Sequence, residues 1–332
     1  MKVTIKDIAA NAGVSVSTVS RVMNDSETVS DELRQRVMDS IHKFHFRPDA
    51  AARSLVTKST GLVAVLEADV RNPITAIHLK QISDVCMKND KVVIVCDYDF
   101  NQEKALILLD NMLERNIDGL IFQGVHLTEE IMKKLKRFNC PVVLGNQGPP
   151  EDMECEFTTV TVDSYRAMKD ATKFLIGEGH KRIAYIGGGE EDYTNGTLRL
   201  NGFTDAMKEA ELSVPDSYIY QGAFSTEAGE RGMNYIYENN LELPTAVVTG
   251  SDVIAVGVIR CLKSHNMKVP EDISVMGFDD SLSDIYEPPL STVRMSEQGE
   301  IFYDALFGDN KEKWRYFPHQ IVRRNSTRRF DK

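Results

Sequence analysis

The chain has 332 residues, 42% hydrophobic and 27% charged, with a net charge of −11. That length exceeds one small domain and suits about two or three, and the acidic balance excludes a protein that coats nucleic acid with its whole surface. The charge is uneven, however: residues 1–60 hold nine Lys/Arg against seven Asp/Glu, leaving 30 against 43 in the remainder. Contact with phosphate is therefore expected at the N-terminal end alone. The five cysteines (Cys86, Cys96, Cys140, Cys155 and Cys261) are scattered without CxxC spacing. With no signal peptide in view, they read as reduced thiols in a cytoplasmic protein. No apolar run approaches the roughly 20 residues that span a membrane, so no membrane partner is expected.

In chain order, the first legible stretch is Thr4 to Asn24, TIKDIAANAGVSVSTVSRVMN. Ile5, Ile8, Ala9 and Ala12 recur at helical spacing and predict one apolar helix face. Thr4 precedes them as an N-cap, Asp7 sits in the first turn where the helix dipole favours an anion, and Gly13 supplies the left-handed residue that ends a helix. Ser15 can cap a second helix whose Val19, Val22 and Met23 face inward, leaving Val16, Ser17, Ser20 and Arg21 outside. Two short helices around a glycine turn form a helix-turn-helix, whose second helix reads the major groove. A helical hairpin without a nucleic-acid role is the alternative on periodicity alone. Ser30 can cap a third helix carrying the stripe Leu33, Val37, Ile41 and Phe44. Arg34, Arg36 and Lys43 lie off that stripe and read as a solvated face more readily than as phosphate contacts. Arg47-Pro48 breaks the helix, and the alanine-rich run from Asp49 to Leu55 is too short to be a stable helix by itself.

The wording of Thr4 to Asn24 closely resembles the N-terminus of the lactose-repressor/galactose-repressor (LacI–GalR) family of bacterial transcription regulators. The resemblance continues through Val29-Ser30, Arg47-Pro48 and Ala52-Arg53-Ser54-Leu55, then more sparsely to the C-terminus. It implies that residues 49–55 are a hinge which folds when two subunits meet on an operator, and that Leu55 wedges into the minor groove. Such a wedge is feasible because unstacking one base step is offset by contacts that a bent duplex allows; an ordinary linker contact is the alternative for Leu55. The candidate DNA-binding residues are Thr4, Val16, Ser17, Thr18, Ser20, Arg21 and Asn24 in the head, with Ala52 and Leu55 in the hinge.

From Gly61 the pattern changes to alternating strands and helices. Strand-like runs occur at 62–66, 92–96, 119–122, 142–144, 160–162, 183–186, 218–220, 246–249 and 273–278. Amphipathic stretches such as Ala105–Leu113 and Ala167–Leu175 lie between them, which predicts parallel sheets covered by helices. So many units exceed one doubly wound domain. The resemblance implies an all-α helix-turn-helix head on an α/β, periplasmic-binding-protein-like core of two doubly wound lobes. The expected division is a head at 1–47, a hinge and linker at 48–60, one lobe at 61–162 plus 291–324, and the other at 163–290 plus 325–332.

Ligands of open α/β sheets bind beyond the carboxyl ends of the strands. Polar residues there include Asp69, Asn72, Asn146, Ser251-Asp252 and Asp279-Asp280, and Arg199 opens the RLNGF segment. The resemblance implies effector contacts at Arg199, Ser251 and Asp279 and a stacking aromatic at Phe224; Phe224 as core is the alternative, and Asp252 reads as the cap of the helix it precedes. A carboxylate, a guanidinium and a ring suit a sugar, with its vicinal hydroxyls and C–H face. One departure from the family is Met295 after Thr292-Val293-Arg294, where a polar Gln is frequent.

No catalytic residue, metal site or cofactor is expected. Gly187-Gly188-Gly189 lacks the Lys-Ser/Thr of a phosphate loop and the spacing of a dinucleotide fingerprint. His180 has no acid or nucleophile at motif spacing, and the histidines show no ligand pattern. The expected function is a DNA-binding regulator of sugar utilisation, a homodimer on a pseudo-palindromic operator; the tail carries no leucine heptads for tetramer formation. The alternatives are the same architecture sensing a nucleobase or nucleoside, or a transport-type sugar-binding protein, which would leave the head unexplained.

Overall fold

Local sequence accounts for the head. Helix α1 (Ile5–Ala12) buries Ile8, Ala9 and Ala12, and α2 (Val16–Met23) buries Val19 and Val22. The Asp7 carboxylate accepts from both the Thr4 backbone N–H (2.8 Å) and hydroxyl (2.7 Å), fixing the start of α1. Gly13 ends it at φ 64°, where a Cβ would also meet Arg36 Nη2 at 2.7 Å. Ser15 caps α2 by accepting from Thr18 N at 3.1 Å. Helix α3 (Asp31–Phe44) closes the core with Val37, flanked by the partly buried Leu33, Ile41 and Phe44. One expectation is corrected here. Ser30 stands at the N-cap of α3 but its hydroxyl makes no capping bond. Arg36 stays exposed as expected, and its guanidinium also donates to Ala12 O at 2.7 Å, satisfying a terminal carbonyl of α1.

A computed structural model describes residues 3–23, 28–46, 59–124, 127–150, 153–310 and 312–330. Asn24, the Arg47-Pro48 break, Ala52 and Leu55 lie outside the described residues. Residues 1–60 and 61–332 form two units. The second contains two parallel sheets. One runs β11-β5-β4-β3-β1-β2, comprising Leu62–Glu67 (β1), Val92–Asp97 (β2), Gly119–Gln123 (β3), Val142–Gly145 (β4), Thr158–Val162 (β5) and Trp314–Phe317 (β11). The other runs β7-β6-β8-β9, comprising Ile183–Gly188 (β6), Ile219–Gly222 (β7), Ala246–Thr249 (β8) and Ser274–Met276 (β9). Each of the nine expected strand runs falls on a strand. The exceptions in extent are 218–220, where Tyr218 ends a short 3₁₀ turn and the strand begins one residue later, and 273–278, of which only Ser274–Met276 is strand.

Alternate residues along the strands sort into separate cores, as period-2 geometry requires. In β1, Val63 and Val65 pack with Ile82 and Cys86 of α4 (Pro73–Lys88), while Ala64 and Leu66 pack with Ala105 and Leu109 of α5 (Gln102–Glu114). Helix α6 (Glu129–Leu135) adds Ile131, Met132 and Leu135 to the second cluster. In the smaller sheet, Tyr185 faces Met168 of α7 (Ser164–Gly177) and Phe203 of α8 (Leu198–Glu209). Ala184 and Ile186 face α9 (Thr226–Asn239) and α10 (Asp252–Ser264). Strands β10 (Thr292–Met295) and β12 (His319–Val322), separated by α11 (Gly299–Phe307), pair antiparallel as a ribbon between the two sheets. After β12 the chain returns to β9, where Val275 N donates to Ser326 O at 2.8 Å. The periodicity gave no sign of β10, β11 or β12, whose residues are too polar and too short to stand out.

Candidate functional site

Two surfaces merit attention. On α2 of the head, Val16, Ser17 and Arg21 are exposed, whereas Thr18 and Ser20 are half-buried. The Ser15 hydroxyl bonds those of Ser17 (2.7 Å) and Thr18 (2.9 Å), so the polar edge at the start of α2 is held in place before any partner arrives. Thr4 is exposed, with its hydroxyl committed to Asp7. A recognition helix needs this pattern: its inner face fixed by a core, and its first turns free of that core.

In the second unit, a cavity of about 130 Å³ opens at the carboxyl ends of β1, β3, β4 and β6, with walls from both sheets. It brings together six of the seven expected ligand residues: Asp69, Asn72, Asn146, Arg199, Phe224 and Asp279. The seventh, Ser251, is a correction. It is 1% exposed, does not line the cavity, and accepts from Ile254 N at 3.3 Å as the N-cap of α10. Its extended backbone turns the hydroxyl onto its own helix. Asp252, the cap that the sequence suggests, instead accepts from Ser281 N (2.7 Å), Leu282 N (3.2 Å), Ser283 Oγ (3.0 Å) and Thr292 Oγ1 (2.8 Å). Asp252 therefore anchors the turn that follows Asp279.

Each lining group is held by the protein in a different way. Asn72 caps α4 through Ile74 N, and Asp69 accepts from Arg71 N and Nε. Asn146, at φ 54°, donates to Gln123 Oε1 (2.7 Å) and His78 Nδ1 (3.0 Å). Burial pushes His78 down to about 4, so the ring is neutral, and an accepting Nδ1 leaves the proton on Nε2. Nε2 lies 2.8 Å from the Gln298 side chain. Turning that amide over would place its otherwise unpartnered Oε1 against the imidazole N–H.

Arg199 is 5% exposed; its guanidinium lies 3.8 Å above the Phe278 ring and donates to Asn195 Oδ1 (2.9 Å), Gly250 O and Ser164 Oγ (3.4 Å). Burial pulls its pKa down, and the nearby Asp279 carboxyl acts in the opposite sense. No direct ion pair joins the two. Asp279, at φ 106°, is tied down by its N–H to Val293 O (2.9 Å). Its carboxyl accepts from no described residue, and burial, opposed by Arg199, raises its pKa to about 8. Phe224 packs close to the backbone at Gly188, where a Cβ would meet its Cζ at 2.4 Å. It thus lines the cavity and also packs on the core, merging the two readings offered for it.

Sequence reasoning missed Glu67, His78, Gln123, Asp192 and Asn195, all of which line the cavity. Glu67 carried a usable signal: it is the one charge in the strand LVAVLE and stands at its carboxyl end. Asp192 and Asn195 belong to the π-helical turn Tyr193–Thr197, where Asp192 accepts from Asn195 N at 2.8 Å; no periodicity announces such a turn. Met295 also lines the cavity, so the departure from the family pattern falls on the wall of the site.

Comparison with known proteins bears on both surfaces. Residues 4–49 match the bacterial regulatory proteins of the lacI family, and residues 172–301 match the periplasmic binding protein-like domain. The catabolite control protein A of Priestia megaterium is 36% identical over 294 residues, spanning 88% of this chain and 87% of that protein. The lac repressor dimer bound to operator and the anti-inducer ONPF superposes with a TM-score of 0.86 at 22% identity, covering 99% of this chain and all of that one. A complex of the transcriptional regulator CelR with cellobiose gives a TM-score of 0.73 at 23% identity, covering 98% of this chain and 99% of the other. The chain belongs to the lacI family of bacterial regulatory proteins, as a DNA-binding transcription regulator with a periplasmic-binding-protein-like effector domain.

Proposed function

We propose that this regulator binds a pseudo-palindromic operator as a homodimer and represses sugar utilisation under the control of a small carbohydrate held in the cleft. The observation that carries the sugar assignment is the joint placement of Arg199, Asn146, Asp279 and the Phe224 ring around one cavity. Hydroxyl groups can donate to the carboxyl and the amide oxygen and accept from the guanidinium, while the ring covers a C–H face. The lobes are those set out from the sequence, 61–162 plus 291–324 and 163–290 plus 325–332. The effector acts by its differential affinity for two lobe arrangements, an effect typically of about 1–3 kcal/mol on operator affinity. A thermal-shift screen of sugars, sugar phosphates and nucleobases tests the assignment, since a ligand at about 100 times its Kd adds about 2.7 kcal/mol of stability. A nucleobase as best ligand would sink it.

On the DNA side, Val16, Ser17 and Arg21 carry base recognition, with Thr4, Thr18, Ser20 and Asn24 contributing at the edges. Arg21 is the residue suited to a guanine O6/N7 edge. Arg21→Ala should relax base preference at one position per half-site at a cost of about 1–3 kcal/mol. Selection from random DNA checks this, and an asymmetric motif would refute the dimeric arrangement. Ala52 and Leu55 act in the hinge. Leu55→Ser should lower operator affinity and DNA bending together, because the wedge operates only on the bent duplex; unchanged bending by FRET would remove Leu55 from the mechanism.

A further inference from the structure

The cleft contains a group that the sugar reading does not use. Glu67 lines it from the end of β1 and is 4% exposed; its backbone carbonyl accepts from Tyr98 N, but its carboxyl accepts from no described residue, and Oε1 is shut away from solvent. A carboxyl buried without donors is costly, more so when ionised. The nearby groups do not relieve it. Asp97, from the adjacent strand, adds like charge, and the Tyr98 hydroxyl donates instead to Gln123 O at 2.9 Å. His78 is neutral, Asp192 is a further carboxylate on the wall, and Arg199 is already held by Asn195, Gly250 and Ser164. Asp279, contributed from the other sheet, is in the same condition as the Glu67 carboxyl: buried, facing the same cavity, and without a donor among the described residues.

Resting on the reading of this cavity as the effector site, we propose that Glu67 is a specificity-determining residue: Glu67 and Asp279 receive hydroxyl or ammonium hydrogens of the ligand, so the cleft selects polyhydroxylated or aminated molecules and rejects their phosphorylated and carboxylated counterparts. The physical basis is the shortage of donors. A ligand that brings N–H or O–H groups supplies what both carboxyls lack, and it stabilises their ionised forms. An anion between them is accommodated only while both stay protonated. Burial, reinforced by Asp97, raises Glu67 to about 8, close to the value for Asp279. Donor-rich ligands therefore release protons on binding and bind more tightly as the pH rises from 6.5 to 8.5; anionic ones do the reverse.

The test is isothermal calorimetry on the full chain with a panel of neutral, aminated and phosphorylated mono- and disaccharides, at both pH values and in two buffers of different ionisation enthalpy. Expected are proton release with the preferred member and at least about tenfold weaker binding of its phosphorylated counterpart. Glu67→Gln keeps the side chain's size and one acceptor, and should bring the two within about threefold while reducing the proton release. Glu67→Met, which removes the acceptor, should weaken the neutral sugar as well. A phosphorylated sugar bound by the wild type as tightly as its parent overturns the proposal, and so does a preference unchanged in Glu67→Gln. If no sugar of any kind binds, the carbohydrate reading itself falls, a result distinct from either of these.

Discussion

Asp279→Ala is expected to weaken binding of the preferred sugar by about a hundredfold or more, the consequence of deleting a charge-assisted hydrogen bond worth about 1.5–3 kcal/mol together with its pairing to a second hydroxyl. The Asp279 carboxyl faces the cavity and accepts from no described residue, so removing it leaves no protein donor stranded. The ligand-free protein carries a second signature. The carboxyl's pKa is raised in the folded state to about 8 from an ordinary 3.8. A group raised in this way favours the folded state fully below its unfolded pKa, and that contribution is lost as the pH climbs through the folded value. Stability of the ligand-free wild type should therefore decline between about pH 4 and pH 8, and Asp279→Ala should decline less steeply. Calorimetry with the best ligand and a melting curve across pH check both parts. Equal sugar affinity in wild type and variant would place the effector elsewhere.

The second large effect is one of stability. Asp252 is fully buried, and its carboxylate is the shared acceptor for two backbone N–H groups and the hydroxyls of Ser283 and Thr292. Asp252→Ala would leave these donors without a partner, at about 1–3 kcal/mol for each that stays buried, and a total cost of about 3 kcal/mol or more is expected. Asp252→Asn preserves Oδ1 toward Thr292 but cannot accept all three bonds now made by Oδ2, so it should fall between Ala and wild type. Because these bonds hold residues 281–283, which follow Asp279 directly, both variants should also lower sugar affinity. Urea unfolding measures the stability change, and a cost below about 1 kcal/mol for Asp252→Ala would mean that water replaces the lost acceptor.

The relation of sequence to structure differs between head and cleft for a physical reason. In the head, the starts of α1 and α2 and the stop of α1 rest on neighbours within a few residues: Thr4 with Asp7, Ser15 with Thr18, and Gly13 at its left-handed φ. Such contacts are written in spacing, and so were the strand–helix alternation and the rule that ligands gather at strand ends. The sequence by itself thus determined the local structure of the head, the type of sheet and part of the cleft's cast.

Whether a given side chain faces the cleft was decided elsewhere. Ser251 and Asp252 are adjacent and both polar, yet one caps its own helix and the other binds a turn about 30 residues away. Ser30 stands where a cap belongs without making the bond, and the exposed Arg36 reaches the end of another helix. Glu67 and His78 reach the cavity because β1 and α4 are placed by their packing on the rest of the larger sheet. Strands β10 and β12 pair only because the chain crosses between sheets to bring Thr292 opposite Val322. These outcomes depend on long-range registers and on which buried groups find donors; sequence spacing does not encode either, and only the tertiary structure decided them.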